Sequence, residues 1–253
     1  MLEKETAPAV HQEEYALRSV DCAADGSMRL DAVFEILQEA AGYHADLCGA
    51  GFADLIPAGM TWILSRIRVR VTAYPRYRER LLVRTWPRGT QGLIALRDFI
   101  VSGPGGSPAV LGTSSWLLVD YASRRPLRAD EFLAGRFSFS GERALDADAS
   151  KIADFAAAPS GAPALGFRVR PSDLDMNGHV TNTAYIKMLA DGLAETSPGS
   201  PPLDVEVNFM AEAFLGEELH LAFVSAGDGA RPVRAKLLSP DGSKEYVRFA
   251  LGW

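Results

Sequence analysis

Within the stretch from Arg170 to Leu189, RPSDLDMNGHVTNTAYIKML, the spacing of polar and apolar positions changes from alternation to helical period. Asp173, Asp175, Asn177 and His179 fall on alternate residues, so an extended backbone would place their side chains on one face. Asn177-Gly178 permits a sharp turn, because glycine takes backbone angles that other residues resist. From Val180 onward Ala184, Tyr185, Met188, Leu189 and Leu193 recur at helical spacing. This predicts a helix over 180–194 that begins beside the polar cluster.

The same reading gives the other elements. A short strand is expected at 15–20, then a helix over 32–48 with Val33, Ile36, Leu37, Ala40, Ala41, His44 and Leu47 on one side. Asp31 is the expected cap of this helix, and Gly49 and Gly51 its stop. Strand patterns follow at 61–72, 81–86, 93–101 and 109–120, the last two separated by the turn SGPGGSP. Residues 124–164 hold Pro126, Pro159, Pro163 and an alanine-rich polar run, and read as a connector with a short helix. A strand at 165–170 leads to the polar junction and its helix. Beyond the prolines at 198, 201 and 202, Leu203, Val205, Val207 and Phe209 alternate with Asp204, Glu206 and Asn208, the pattern of a half-buried strand. Three more strands are expected at 219–225, 233–238 and 246–251.

One order of elements therefore occurs twice, which points to a duplicated unit. Setting Phe34 against Tyr185 places Gly26 opposite Asn177 and Met28 opposite His179. Setting Glu79-Arg80-Leu81 against Glu217-Glu218-Leu219 places Tyr74 opposite Glu212. Only the second half keeps the polar set. Two uses of that set compete. Asp175 and Asn177 could close Asx-turns and cap the helix while His179 packs in the core. Alternatively, the unsatisfied N–H groups at the helix start could receive an oxyanion, with a carboxylate, an amide and an imidazole beside it for hydrolysis. A simple cap would be expected in both halves, so the asymmetry favours chemistry. His44 reads as a core or interface histidine, because no second metal-type residue stands at helical spacing from it.

Composition narrows the setting. A hydrophobic fraction of 47% and a charged fraction of 23% describe an ordinary globular chain, and 253 residues suffice for one large domain or two of common size. Cys22 and Cys48 are too few for a disulfide framework and suit a reducing compartment. The opening MLEKETAPAVHQEE has acidic residues and no apolar core, unlike a secretory signal or transit peptide, and no apolar run is long enough to span a membrane. A cytoplasmic protein is expected. The net charge of −6 argues against general nucleic-acid binding. Eight arginines nevertheless crowd residues 66–88 against the single acid Glu79. They form either a site for an acidic partner or, where Arg66, Arg68 and Arg70 alternate with Ile67, Val69 and Val71, the solvent face of a strand. Other chemistries lack a motif. There is no G-x-S-x-G elbow, the histidines at 11, 44, 179 and 220 never form H-E-x-x-H, and GPGGS at 103–107 reads as a hairpin turn.

LQEAAGYHAD, TWILSRIRVRVTAYP, RTWPRG, the RDF of 97–99, SSWLLVDYASRRP and DLDMNGHVTNTAYI together resemble the acyl-acyl carrier protein thioesterases, plant plastid enzymes and shorter bacterial relatives, nearly end to end. The resemblance implies an α+β tandem double hotdog: two repeats, each a helix on an antiparallel sheet, forming a pseudo-dimer in one chain. It divides the chain into a first repeat at 1–125 that binds the acyl chain and has a degenerate site, a connector at 126–163, and a catalytic repeat at 164–253. The implied reaction is hydrolysis of fatty acyl thioesters on acyl carrier protein, releasing free fatty acid and ending fatty acid synthesis, with no metal and no cofactor. An acyl-CoA thioesterase or a non-catalytic acyl-binding protein of the same fold are the alternatives.

The family motif carries over as Asp175, Asn177 and His179, and its downstream glutamate as Glu212 in VNFMAEAF. Plant members often have cysteine after that glutamate, where this chain has Ala213, so a cysteine nucleophile is not available at that position; neither Cys22 nor Cys48 matches a catalytic position. The targeting region of plant members has no counterpart here, which fits a bacterial-type cytosolic enzyme. Glu212 is the expected base for water attack, its basicity raised by screening in a lipid cleft. Asn177 is expected to hold the water or the carbonyl, His179 to stabilise charge and Asp175 to orient them. A carboxylate nucleophile remains the alternative. Acyl carrier protein is the expected partner, docking on Arg76, Arg78 and Arg80 of AYPRYRER, and a homodimer is the other association considered. Met60, Trp62, Leu64 and Trp116, bulky strand residues beside the first helix, are the expected acyl-chain lining, unless they only fill the core.

Overall fold

The computed structural model describes residues 8–156, 165–225 and 231–253. The expected connector and the boundary after it therefore fall partly outside the described residues, as does the start of the chain. The first strand, β1 (His11–Ala16), begins and ends earlier than its apolar pattern suggests. Past Ala16 the Asp21 carboxylate accepts the Arg18 N–H at 2.8 Å and the guanidinium at 2.8 and 3.0 Å, which curls 19–21 into a 3-10 turn. The apolar stripe that follows forms α1 (Leu30–Leu47), with Val33, Phe34, Ile36, Leu37 and Ala40 buried. Asp31 does not cap it. It lies inside the helix, held by the Arg29 guanidinium at 2.9 Å, and Arg29 occupies the cap position without a side-chain bond. The helix stops at Gly49, whose φ of 65° is costly for residues with a Cβ.

A one-turn helix, α2 (Phe52–Leu55), leads into four antiparallel strands: β2 (Met60–Val71), β3 (Arg80–Gln91), β4 (Ile94–Ser102) and β5 (Pro108–Asp120). β3 outruns its expected end at 86 because a bulge between Pro87 and Gly89 absorbs the proline, which has no N–H for the ladder. After α3 (Ala129–Leu133) the pattern repeats as β6 (Leu165–Arg168), α4 (Asn182–Thr196), β7 (Asp204–Phe209), β8 (Glu218–Ser225), β9 (Pro232–Leu238) and β10 (Glu245–Gly252). The ten strands among the described residues form one sheet in the order β1-β3-β4-β5-β2-β7-β10-β9-β8-β6. The order is palindromic about β2 and β7, which pair antiparallel with Ile67 opposite Val207 and Val69 opposite Val205. Both helices pack on the apolar face, and buried residues of the two repeats merge into one core. Among the described residues no helix is long and apolar enough to cross a membrane. The architecture is the double hotdog.

Duplication holds in detail, but its register corrects the sequence alignment by one residue. The bridge Cys22–Met28 recurs as Leu174–Val180, and Gly26 and Gly178 share positive φ values of 81° and 77°. Asn177 therefore stands opposite Asp25, not Gly26, and His179 opposite Ser27, not Met28. Helical periodicity had set the alignment, and it tolerates a slip that a turn with a required glycine does not. For the later strands the expected pairing of Tyr74 with Glu212 is upheld, because Ser27–Arg76 recurs as His179–Phe214.

The outer sheet face is less exposed than alternation implies. Residues 140–156 lie across it as a strap. Asp98 accepts the Ala144 N–H at 2.8 Å in the first repeat, while Asn208 of β7 accepts from Ile152 N–H at 2.8 Å and donates to the Ser150 carbonyl at 2.9 Å in the second. Asn208 is buried for that reason. Arg68 and Arg70 both reach Asp204 across the β2–β7 seam, so this part of the arginine run holds strands together.

Candidate active site

The polar junction forms a tight hairpin, not the extended face that alternation suggests. Asp175 donates its N–H to the His179 carbonyl at 2.8 Å, and Gly178 turns the chain between them. The Asp175 carboxylate accepts the Asn177 N–H at 2.8 Å, the His179 N–H at 3.2 Å and the Asn177 amide nitrogen at 3.3 Å. The expected Asx-turn is thus present, but no side chain caps α4, whose first residue, Asn182, lines the adjacent cleft and donates its amide N–H to Gln38 at 3.2 Å. Asp173 is spent locally, accepting the Arg170 N–H.

His179 bridges to Phe214, and the two rings meet edge to face at 5.1 Å. This brings imidazole Nδ1 to 3.4 Å from Oε1 of Glu212. The Glu212 loop is fixed from below: Ala213 donates its N–H to the Tyr185 hydroxyl of α4 at 3.1 Å, and Lys244 donates to the Glu212 carbonyl at 2.9 Å. Burial raises the Tyr185 phenol above its ordinary range, so it stays protonated. The screening expected for Glu212 is not found. Its side chain is 41% exposed and Arg124 of the first repeat lies 2.6 Å from Oε1.

Asp175, Asn177, His179 and Glu212 line a cleft of ≈ 350 Å³ with Leu64 and Trp62. A second cleft of ≈ 410 Å³ runs between α1 and the strands of the first repeat, past Trp62, Trp116, Leu55 and Phe137. The two share Thr61, Trp62 and Asn177, and the Asn177 Oδ1 at this junction is buried without a partner. Of the four expected lining residues, Trp62, Leu64 and Trp116 reach a cleft. Met60 instead packs in a small satellite core with Leu55 and Leu118. Arg76, Arg78 and Arg80 are not gathered with Asp175, Asn177, His179 and Glu212. They occupy the first repeat's equivalent of Phe214–Glu218, where Arg76 donates to the Asp25 carbonyl and Arg80 pairs loosely with Glu14.

Sequence reasoning missed two arginines. Arg124 lies in the ASRRP turn, 88 residues from Glu212, and only the family resemblance marked that stretch. Arg97, on the wall of the larger cleft, donates to His44 at 3.1 Å and Thr85 at 3.2 Å, and burial lowers its pKa to about 10. His44 is a core histidine as expected, its Nε2 held by the Pro8 carbonyl at 2.8 Å.

A polar tetrad in a cleft beside a second, more apolar one, on a tandem hotdog scaffold, defines the class of the protein. Comparison with known proteins makes this specific. The acyl-ACP thioesterase N-terminal domain matches residues 8–135 and the acyl-ACP thioesterase C-terminal domain residues 158–239, and the chain belongs to the acyl-ACP thioesterase family. It is 27% identical over 187 residues to the chloroplastic palmitoyl-acyl carrier protein thioesterase of Gossypium hirsutum, covering 70% of this chain and 45% of that one. Against the oleoyl-acyl carrier protein thioesterase of Coriandrum sativum the identity is 26%, covering 72% and 53%. The chain thus spans about half the length of these relatives. The fold matches an acyl-ACP thioesterase from Bacteroides thetaiotaomicron (TM-score 0.80, 22% identity, 96% and 97% covered). It also matches the 12:0-ACP thioesterase from Umbellularia californica (TM-score 0.81, 22% identity, 97% of both chains covered).

Proposed function

We propose that the protein hydrolyses the thioester joining a fatty acyl chain to acyl carrier protein, releasing free fatty acid and the carrier thiol and so ending chain synthesis. The observation that carries this reading is the gathering of Asn177, His179 and Glu212 along the smaller, polar cleft, with Asn177 at its junction with the first-repeat cleft, whose wall it also lines. An acyl chain lying in the first-repeat cleft would bring its carbonyl to that junction. Water, deprotonated by Glu212, adds to the carbonyl carbon. The tetrahedral intermediate collapses with cleavage of the C–S bond, and the thiolate leaves and takes up a proton. The Asn177 amide holds the water or the carbonyl, His179 stabilises developing charge, and Asp175 keeps both on one turn. In this reading 1–125 binds the tail, 164–253 supplies the chemistry, and 126–163 joins them.

Arg76, Arg78 and Arg80 are proposed to receive the acidic carrier, a reading supported by the exposure of Arg76 and Arg78 on one loop and of Arg80 at the start of β3. Charge reversal there should raise KM for carrier-bound substrate and weaken its salt dependence, leaving small acyl thioesters unaffected. An equal effect on both substrates would make the cluster structural. The proposed setting is the cytoplasm, in keeping with two unpaired cysteines, and light scattering distinguishes a monomer from a homodimer. The deciding assay measures thioester hydrolysis on carrier protein and on CoA across a series of chain lengths. Preference for the carrier supports the proposal; preference for CoA transfers it to the acyl-CoA enzymes; no hydrolysis of either leaves a lipid-binding protein.

A further inference from the structure

Arg124 has no place in the chemistry derived so far, yet three features converge on it. It is delivered by a turn built for the purpose: Asp120 accepts the Ser123 N–H and hydroxyl, both at 2.7 Å, and the Arg124 N–H returns to the Asp120 carbonyl at 2.9 Å. Its backbone is left-handed, with φ at 58°, a conformation that side-chain-bearing residues rarely adopt. Its guanidinium, braced over the Tyr121 ring at 5.8 Å, ends 2.6 Å from Oε1 of Glu212 on the wall of the polar cleft. Side-chain exposures of 35% for Arg124 and 41% for Glu212 make this pair a weak source of stability, since solvent screens it. A strained backbone costs more than such a pair returns, so stability does not account for the arrangement.

Geometry at the carboxylate does. Arg124 and His179 both make their closest approach to the same oxygen, Oε1, and among the described residues Oε2 has no hydrogen-bond partner. Two fixed groups on one oxygen set the carboxylate plane and leave the other oxygen to face water in the cleft. We infer that Arg124 is a positioning residue for hydrolysis: supplied by the repeat that carries no catalytic acid, it holds Oε1 so that Oε2 can take the proton of the attacking water. The inference rests on Glu212 being the base. It also explains how an acid that is not screened from solvent can serve there, because its orientation is fixed from outside.

The test uses a short acyl thioester without carrier protein or phosphate, which removes any docking role for the arginine. Arg124→Gly suits the left-handed backbone, so the turn survives and a thermal melt checks the fold. It should lower kcat by about 10-fold or more with KM within about twofold, the pattern of a lost orientation. Arg124→Lys should recover part of kcat, since an ammonium reaches the same oxygen with less directionality. In a Glu212→Gln background Arg124→Gly should cause no further loss, because the two act as one unit. Unchanged kcat in Arg124→Gly overturns the inference, as do losses that multiply in the double variant. A KM increase confined to carrier-bound substrate, with kcat intact, makes Arg124 a docking cation and overturns it too. Near-normal turnover in Glu212→Gln alone is a separate outcome that removes the base assignment itself.

Discussion

Single atoms decide most of what the site can do. Glu212 and His179 come from loops 33 residues apart, yet the bridge from His179 to Phe214 fixes their approach before any ligand binds. Glu212→Gln and His179→Ala are each expected to lower turnover by ~100-fold or more while leaving the melting temperature near that of the parent, since both side chains are partly exposed. Normal kcat in a folded Glu212→Gln protein would end its assignment as base. His44 makes the opposite kind of prediction, about stability. Burial, helped by the neighbouring Arg97 guanidinium and opposed by the Pro8 carbonyl, lowers its pKa from 6.5 to about 4. His11 stacks on it at 5.9 Å and Phe137 packs edge-on at 5.8 Å. The folded-state value is depressed, so this contribution is fully present above 6.5 and is lost as pH falls toward about 4, where the unfolded chain alone has gained a proton. The loss should be on the order of 3 kcal/mol. Chemical denaturation at several pH values should show the slope, and His44→Gln should flatten it.

At the level of elements, helices and strands were legible wherever one face is buried, because apolar spacing then records the fold directly. α1, α4, β2, β5 and β7 lie within a few residues of their expected places. The strap at 140–156 was not legible, since it is held by backbone bonds to isolated side chains and has no period of its own. Asn208 shows the consequence: alternation reads it as solvent-facing, whereas it satisfies one N–H and one carbonyl of the strap. Asn208→Ala removes both bonds and leaves the buried Ile152 N–H without its partner. The expected cost is ~1–3 kcal/mol, measurable as a lower melting temperature with little change in KM. The active-site residues were legible as types, through resemblance and through asymmetry between repeats. Their geometry was not: a hairpin in place of a strand, and Arg124 arriving from 88 residues away, depend on contacts that local sequence does not encode.

For the whole molecule, the proposed function places the acyl tail against one repeat and its cleavage in the other. Trp62 and Trp116 line the first-repeat cleft, and Leu64 stands in the polar one. Each methylene buried is worth ~0.8 kcal/mol, about a fourfold preference, so opening the cleft at Trp116 should move the preferred acyl length upward. Assays over a chain-length series on Trp116→Ala and Leu64→Ala check this; a profile that stays fixed while activity falls would place selectivity elsewhere. Changes at Met60 are expected to alter stability instead, because it packs in the satellite core.

The pairing of β2 with β7 has a thermodynamic corollary. It makes one sheet of two repeats, the core beneath it is shared, and the strap is fastened to both sides. Neither half can open without exposing the apolar underside of the other, so cooperativity extends across the duplication. Calorimetry should record a single melting event whose calorimetric and van't Hoff enthalpies agree, and a weakening in the first repeat should reach the second as loss of the same transition.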